Sequence, residues 1–234
     1  METEAPRNTN EKIDYKNMSK VTGTTDLRDA TNKLRESLSE KTDRANKDYK
    51  FPDTYNPKMG LKVGNVTELR LFFRVKPGHA EALKQELRKF KESEERNSKA
   101  AHLMTGIQDM TCTLFDNDTR YLHTTEFDTE WDPYIDDSVP TDKQRLIYAN
   151  WLQHLVEAGD FGPDNIPTAN DIKVLFNQQR ETATVFIRTF SDTVFEQYRM
   201  HDLKKAFEEV LNDPNAEEAL HHPALKPLLD LAAD

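Results

Sequence analysis

The run Val66-Thr67-Glu68-Leu69-Arg70-Leu71-Phe72-Phe73-Arg74-Val75-Lys76 decides the fold class. Leu69, Leu71, Phe73 and Val75 fall on one side, and Glu68, Arg70, Phe72 and Arg74 on the other. A side-chain period of two with one apolar face is a half-buried β-strand. Lys76-Pro77-Gly78 ends it. The pattern then changes: Ala80, Leu83, Leu87 and Phe90 give a narrow apolar stripe at helical spacing over His79 to Arg96. Asn97 to Gly106 reads as a loop. Ile107 to Phe115 is a second strand with Met110, Cys112 and Leu114 on one face, the side turned to the helices. Asp116-Asn117-Asp118 is turn chemistry, and Arg120 to Phe127 is the third strand, so the two form a hairpin.

Further on, Asp128 to Asp137 is an acidic linker in which Asp132, before Pro133, reads as a helix cap. Thr141-x-x-Gln144 has the form of a capping box. It opens a second long helix with Ile147, Trp151, Leu155 and Ala158 as its buried stripe and Gly159 as its stop. Ile172 to Phe176 fits strand or helix. Ala183 to Phe190 alternates, Val185 and Ile187 against Phe186, Arg188 and Phe190, and reads as a fourth strand. Thr193-x-x-Glu196 opens a helical region to Asn212, and two short helices finish the chain, the last starting at Pro223.

The order β-α-β-β-α-β predicts an α+β fold: a ferredoxin-like antiparallel sheet with both helices on one face, followed by C-terminal helices. The other face would carry Phe72, Phe115, Phe186 and Phe190 among polar residues. That much bare aromatic area is expected to pack on the same face of a second copy, giving a homodimer.

The remaining composition sets the boundaries. The chain has 234 residues and a net charge of −10. Residues 1–58 hold 12 Lys/Arg and 11 Asp/Glu with few apolar side chains, and read as a polar, largely disordered leader. At its end, Phe51, Pro52, Tyr55, Pro57 and Met59 are placed to pin the leader to the sheet domain. Residues 59–190 form that sheet domain and residues 191–234 its helical extension. No apolar run is long enough to span a bilayer. Met1 to Asn10 has no basic segment before an apolar core, so the expected location is the cytoplasm. The acidic balance of residues 59–234 repels phosphate backbones, which argues against nucleic acid as a partner. One cysteine, Cys112, excludes an intrachain disulfide framework.

Phe73-Arg74-Val75-Lys76-Pro77-Gly78, followed by a helix with Ala80, Leu83 and Leu87, resembles the dimeric α+β barrel superfamily. That group includes antibiotic-biosynthesis and haem-degrading monooxygenases and, more distantly, dye-decolourising peroxidases and chlorite dismutases. The segment Thr125 to Asp137 is similar to an uncharacterised branch of it. The resemblance covers about residues 66–190. It implies a small-molecule oxidoreductase, monooxygenase or peroxidase-like, acting on a hydrophobic or aromatic substrate in a pocket on the sheet face. The alternative is a non-catalytic dimeric module that binds a ligand or a partner.

The alternation places Arg70, Phe72 and Arg74 on the face away from the helices, with Asp109, Thr111 and Thr113 from the second strand. Tyr121, His123 and Thr125 are expected there from the third, and Thr184, Phe186 and Arg188 from the fourth. An apolar cavity with a few converging polar groups is the usual form of a ligand site. Arg70, Arg74 and Arg188 suit a carboxylate or phenolate, because guanidinium donates paired hydrogen bonds to such oxygens. His123 can serve there as a general base. The competing reading is an ion-paired interface in which Arg70 or Arg74 binds Asp109. The cofactor is open: none, or haem held by His154, three residues after Trp151 on the second helix. His102 and His201 are other options for the same role. The acidic run from Asp128 lacks the glycine and the closing glutamate of a calcium loop.

Overall fold

In the computed structural model, which describes residues 49–95 and 99–232 together with Lys33, Val66–Arg74 is a nine-residue strand. Its odd-numbered apolar positions are sealed: Leu69, Leu71 and Phe73 are at most 2% exposed. The expected leader lies outside the described residues up to position 48. Its pinning segment is described. Tyr49 meets Phe51 edge-on, Phe51 stacks on Tyr55, the Tyr55 hydroxyl donates to Asp132, and Met59 is buried.

The elements are, in chain order, as their backbone pairing defines them. β1 is Leu61–Val63, β2 Val66–Arg74, α1 Ala80–Glu95, α2 Lys99–Thr105, β3 Ile107–Phe115 and β4 Arg120–Phe127. Then come α3 Trp131–Ser138, α4 Asp142–Leu152, α5 Ala169–Gln178 and β5 Arg180–Glu181. The remaining helices are α6 Val194–Leu211, α7 Glu217–Leu220 and α8 Lys226–Ala232, with a 3-10 turn at Pro223–Leu225. The chain forms two compact units that divide between Thr193 and Val194.

The first unit is a mixed α+β structure. Its sheet is antiparallel in the order β1-β2-β4-β3, with β5 also paired to β2. One apolar core joins the inner face of the sheet to the helices: Leu71 and Phe73 with Leu83 of α1, Trp131 and Ile135 of α3, Trp151 of α4 and Phe176 of α5. The β3–β4 turn holds Asp116, Asn117 and Asp118 all at positive φ, a conformation that Asp and Asn tolerate better than other non-glycine residues. α4 starts at Thr141, whose hydroxyl accepts from Gln144 N–H, as its sequence predicts.

Several elements differ from the sequence pattern. Ala183–Phe190 is not a strand; the pairing there is confined to Arg180–Glu181, opposite Leu71 and Arg70. The reason lies on β2. β1, joined to it through a two-residue turn with Gly64 at φ +61°, already pairs with Val66–Glu68. At the other end Val156 N–H donates to Arg74 O. Only the middle of that edge is left, and Phe72 N–H takes Gln179 O there. Residues 182–193 instead lie against the open face, where Arg188 donates to Glu126 and Gln108.

The expected loop after α1 contains α2. The acidic linker contains α3, whose N-cap position is Glu130 rather than Asp132 and carries no side-chain cap; Pro133 fits within its first turn, where no helical N–H partner is lost. α4 stops at Leu152, before Gly159, because Leu155 leaves to bridge with Val75. Ile172–Phe176 is helical: Thr168 and Asp171 form a capping box at the start of α5. Among the described residues no helix is long and apolar enough to cross a membrane.

Candidate functional site

Cross-strand partners share a face of the sheet, and this decides where the candidate residues lie. Arg70 pairs with Thr124, and Thr124 with Thr111, so these three are on the open face. Phe72 is there too, 36% exposed, with its ring edge-on to Phe115. Arg70 is held by Glu68, and Arg74 reaches Glu157 at 2.7 Å instead of Asp109. Phe186 is half-buried on the irregular segment, and Arg188 bridges to Glu126. Burial raises the Glu126 carboxyl above its usual range, against the lowering effect of Arg188. The open face therefore brings Arg70, Phe72 and Thr111 together, and adds Arg188 at its Glu126 end.

His123 is not on that face. It pairs with Leu71 on one side and Cys112 on the other, so it points into the helix layer and is 2% exposed. The alternation places Tyr121 and Thr125 there as well, both buried. The imidazole lies parallel to Trp151 at 5.9 Å between ring centroids. Its Nδ1 is 3.2 Å from the Tyr121 hydroxyl and 3.7 Å from Cys112 Sγ, and the Tyr121 hydroxyl donates to that sulfur at 3.1 Å. Burial pushes His123 down to about 4 and raises the Cys112 thiol and the Tyr121 phenol. All three are neutral at physiological pH, forming an uncharged polar chain inside an apolar core.

His154 sits where α4 ends, 8% exposed, with its Nδ1 3.0 Å from His79 Nδ1. Burial, then the neighbouring His79, lowers its affinity for a proton. Among the described residues no group of three His, Cys, Asp or Glu is arranged around a metal position.

The sequence pattern missed a cleft between α1 and the outer strand β3, about 570 Å³ in volume. Leu87, Phe90, Met110, Cys112 and Leu114 supply its apolar floor, and Lys84, Arg88 and Lys91 stand along its helical wall. Their spacing of four and three puts these cations on one side of α1. His102, Gln108 and Asp109 also line it, and His154 does not. Thr111 also lines it, although its neighbours Met110 and Cys112 point to the opposite face. Residues from both faces of β3 reach the cleft because it runs along the strand's edge. Nothing in the local pattern announces it: the cleft exists because β3 ends the sheet and α1 crosses beside it.

No family model, curated protein or solved structure matches this chain.

Proposed function

We propose that this protein is a binding module whose ligand lies in the cleft between α1 and β3, with an apolar body against Leu87, Met110 and Leu114 and an anionic group toward Lys84, Arg88 and Lys91. The observation that carries this reading is the cleft itself. Its volume is within the range of small-ligand sites, its floor is apolar, and cations stand along one wall of a protein that is acidic overall. Binding is favoured over the oxidoreductase chemistry implied by the resemblance. An imidazole pushed to about 4 and sealed against Trp151 is too weak a base to draw a proton from a substrate at neutral pH.

The same reading takes the sheet as ferredoxin-like. The succession β5-β2-β4-β3 is what that arrangement requires, with β5 a shortened last strand. Self-association through the open face remains part of it, supported by Phe72 and by the exposed side chains of Val185, Ile187 and Phe190 on the segment that lies there.

The test is a titration with 1-anilinonaphthalene-8-sulfonate, an apolar anion whose emission rises on leaving water. Saturable binding that weakens in Arg88→Glu and in Met110→Asp, but not in Arg74→Glu, supports the cleft. Equal loss in Arg74→Glu moves the site to the open face, and no saturable binding ends the reading.

A further inference from the structure

The backbone of β3 has an unused side, and the hydrogen-bond alternation shows which residues own it. Phe72 N–H donates away from β4, to Gln179 O, so in β2 the even residues direct their backbone groups outward and Leu71 and Phe73 direct theirs to β4. Leu71 faces His123, so His123 is turned toward β2, and its neighbours Leu122 and Thr124 are turned toward β3. Their partners are Thr113 and Thr111. The alternate residues Met110, Cys112 and Leu114 therefore aim three N–H and three C=O groups away from the sheet. No backbone partner is present for them among the described residues.

That edge is long and unprotected. From Asp109 to Phe115 it carries no proline and no lysine, the usual devices that stop a strand from recruiting another; its one irregularity is at the Ile107/Asp109 end. It also forms one wall of the cleft, whose opposite wall is α1. A groove between a free strand edge and a helix is the shape into which an extended peptide adds as a further strand. Its main chain supplies affinity, and alternate side chains enter the groove.

We infer that the occupant of the cleft is an extended acidic peptide segment of a partner protein, paired to Met110, Cys112 and Leu114 of β3. Its alternate apolar side chains would lie over Leu87 and Met110, and its carboxylates would face Arg88 and Lys91. The inference rests on the proposed cleft function and adds the ligand's form. Charge selects the partner. Arg88 and Lys91 line the α1 wall beside β3, and Lys84 on the same wall is paired with Glu81 and Asp118. A second copy pairing β3 to β3 would bring two such helical walls together, and like charges there disfavour it.

The experiment uses the full chain and an N-acetylated octapeptide alternating valine and glutamate, with the valine–lysine octapeptide as control. Amide exchange is followed residue by residue. The expected result is saturable binding of the acidic peptide, with exchange at Met110, Cys112 and Leu114 slowed at least about tenfold and Thr111 and Thr113 unchanged. Met110→Pro removes one outward N–H without touching the β4 ladder, and should weaken the peptide by a larger factor than Met110→Ala, which trims the same side chain and keeps the N–H.

Sulfonate binding with no protection of these amides by the peptide overturns strand addition and leaves the cleft function standing. Failure of both probes ends both. Equal binding of the lysine peptide overturns the acidic partner. Slow exchange at the three amides before any peptide is added shows that the chain covers its own edge, and overturns the inference. So does protection that grows with protein concentration alone, which would give the edge to a second copy.

Discussion

Leu71 of β2 stands directly opposite His123 of β4, and both side chains enter the same apolar layer. A histidine in that position must stay neutral for the fold to hold. Its proton affinity is lowered by burial to about 4, whereas the unfolded chain restores the ordinary value of 6.5. Between those values the unfolded state binds more protons, so stability increases with pH. The contribution is fully present above about pH 6.5 and lost as pH falls toward 4, a span on the order of 3 kcal/mol for one group. His154, lowered in the same direction, adds to the slope. Urea unfolding at about pH 7.5 and about pH 5 should show a large drop in midpoint for the native sequence. The drop should be smaller in His123→Phe, which keeps a ring on Trp151 and cannot titrate. An unchanged pH dependence in that variant would show that His123 is not the titrating group.

Trp151 of α4 sits among the aromatic rings of the core. Its ring meets Phe73, Tyr121, His123, Tyr148 and Phe176, and it is 1% exposed. Trp151→Ala should cost about 3–5 kcal/mol by chemical denaturation. Phe72→Ala, on the open face of the neighbouring strand, should cost less than about 1.5 kcal/mol. A larger cost at Phe72 than at Trp151 would contradict the assignment of faces.

Gly60 admits no side chain. Its φ is +99°, and a Cβ there would lie 2.6 Å from Thr67 Cγ2 and 2.7 Å from Glu68 O. Backbone strain and collision act together, so Gly60→Ala should destabilise by about 2 kcal/mol or more and loosen β1 from β2. Thermal unfolding measures the first, and amide exchange at Val66 and Glu68, whose N–H groups face β1, the second.

Arg188 ties residues 182–193 to the sheet through Glu126 and Gln108, and its Nε donates to Phe190 O at 3.0 Å. The ion pair is partly exposed, so its loss should cost about 1 kcal/mol or less overall. The local effect should be larger. Arg188→Ala is expected to speed chymotryptic cleavage at Phe186 and Phe190 while the melting temperature changes little. Unaltered cleavage would show that the segment is held by something other than Arg188.

The alternation of residues 66–76, the stripe Ala80-Leu83-Leu87-Phe90, the Asp116-Asn117-Asp118 turn and the Thr141 cap were all legible in the sequence, because each depends on neighbours within a few positions. The placement of His123 was not. The pattern Tyr121-x-His123-x-Thr125 alternates equally well in either register, and only pairing with Leu71 and Cys112 turns it inward. The alternation of 183–190 misled for the same reason: a strand needs a vacant edge, and β1 and Val156 had taken most of the one on β2. α2 and α3 were hidden in stretches whose polarity resembles a loop.

Short-range chemistry thus determined β2, α1, the β3–β4 hairpin and the start of α4, since periodicity, caps and turn residues act over a few bonds. Which face β4 buries, which edge is filled and where a cleft opens were decided only when distant segments met. Hydrogen-bond partners and free volume belong to pairs of elements, and no single segment carries them.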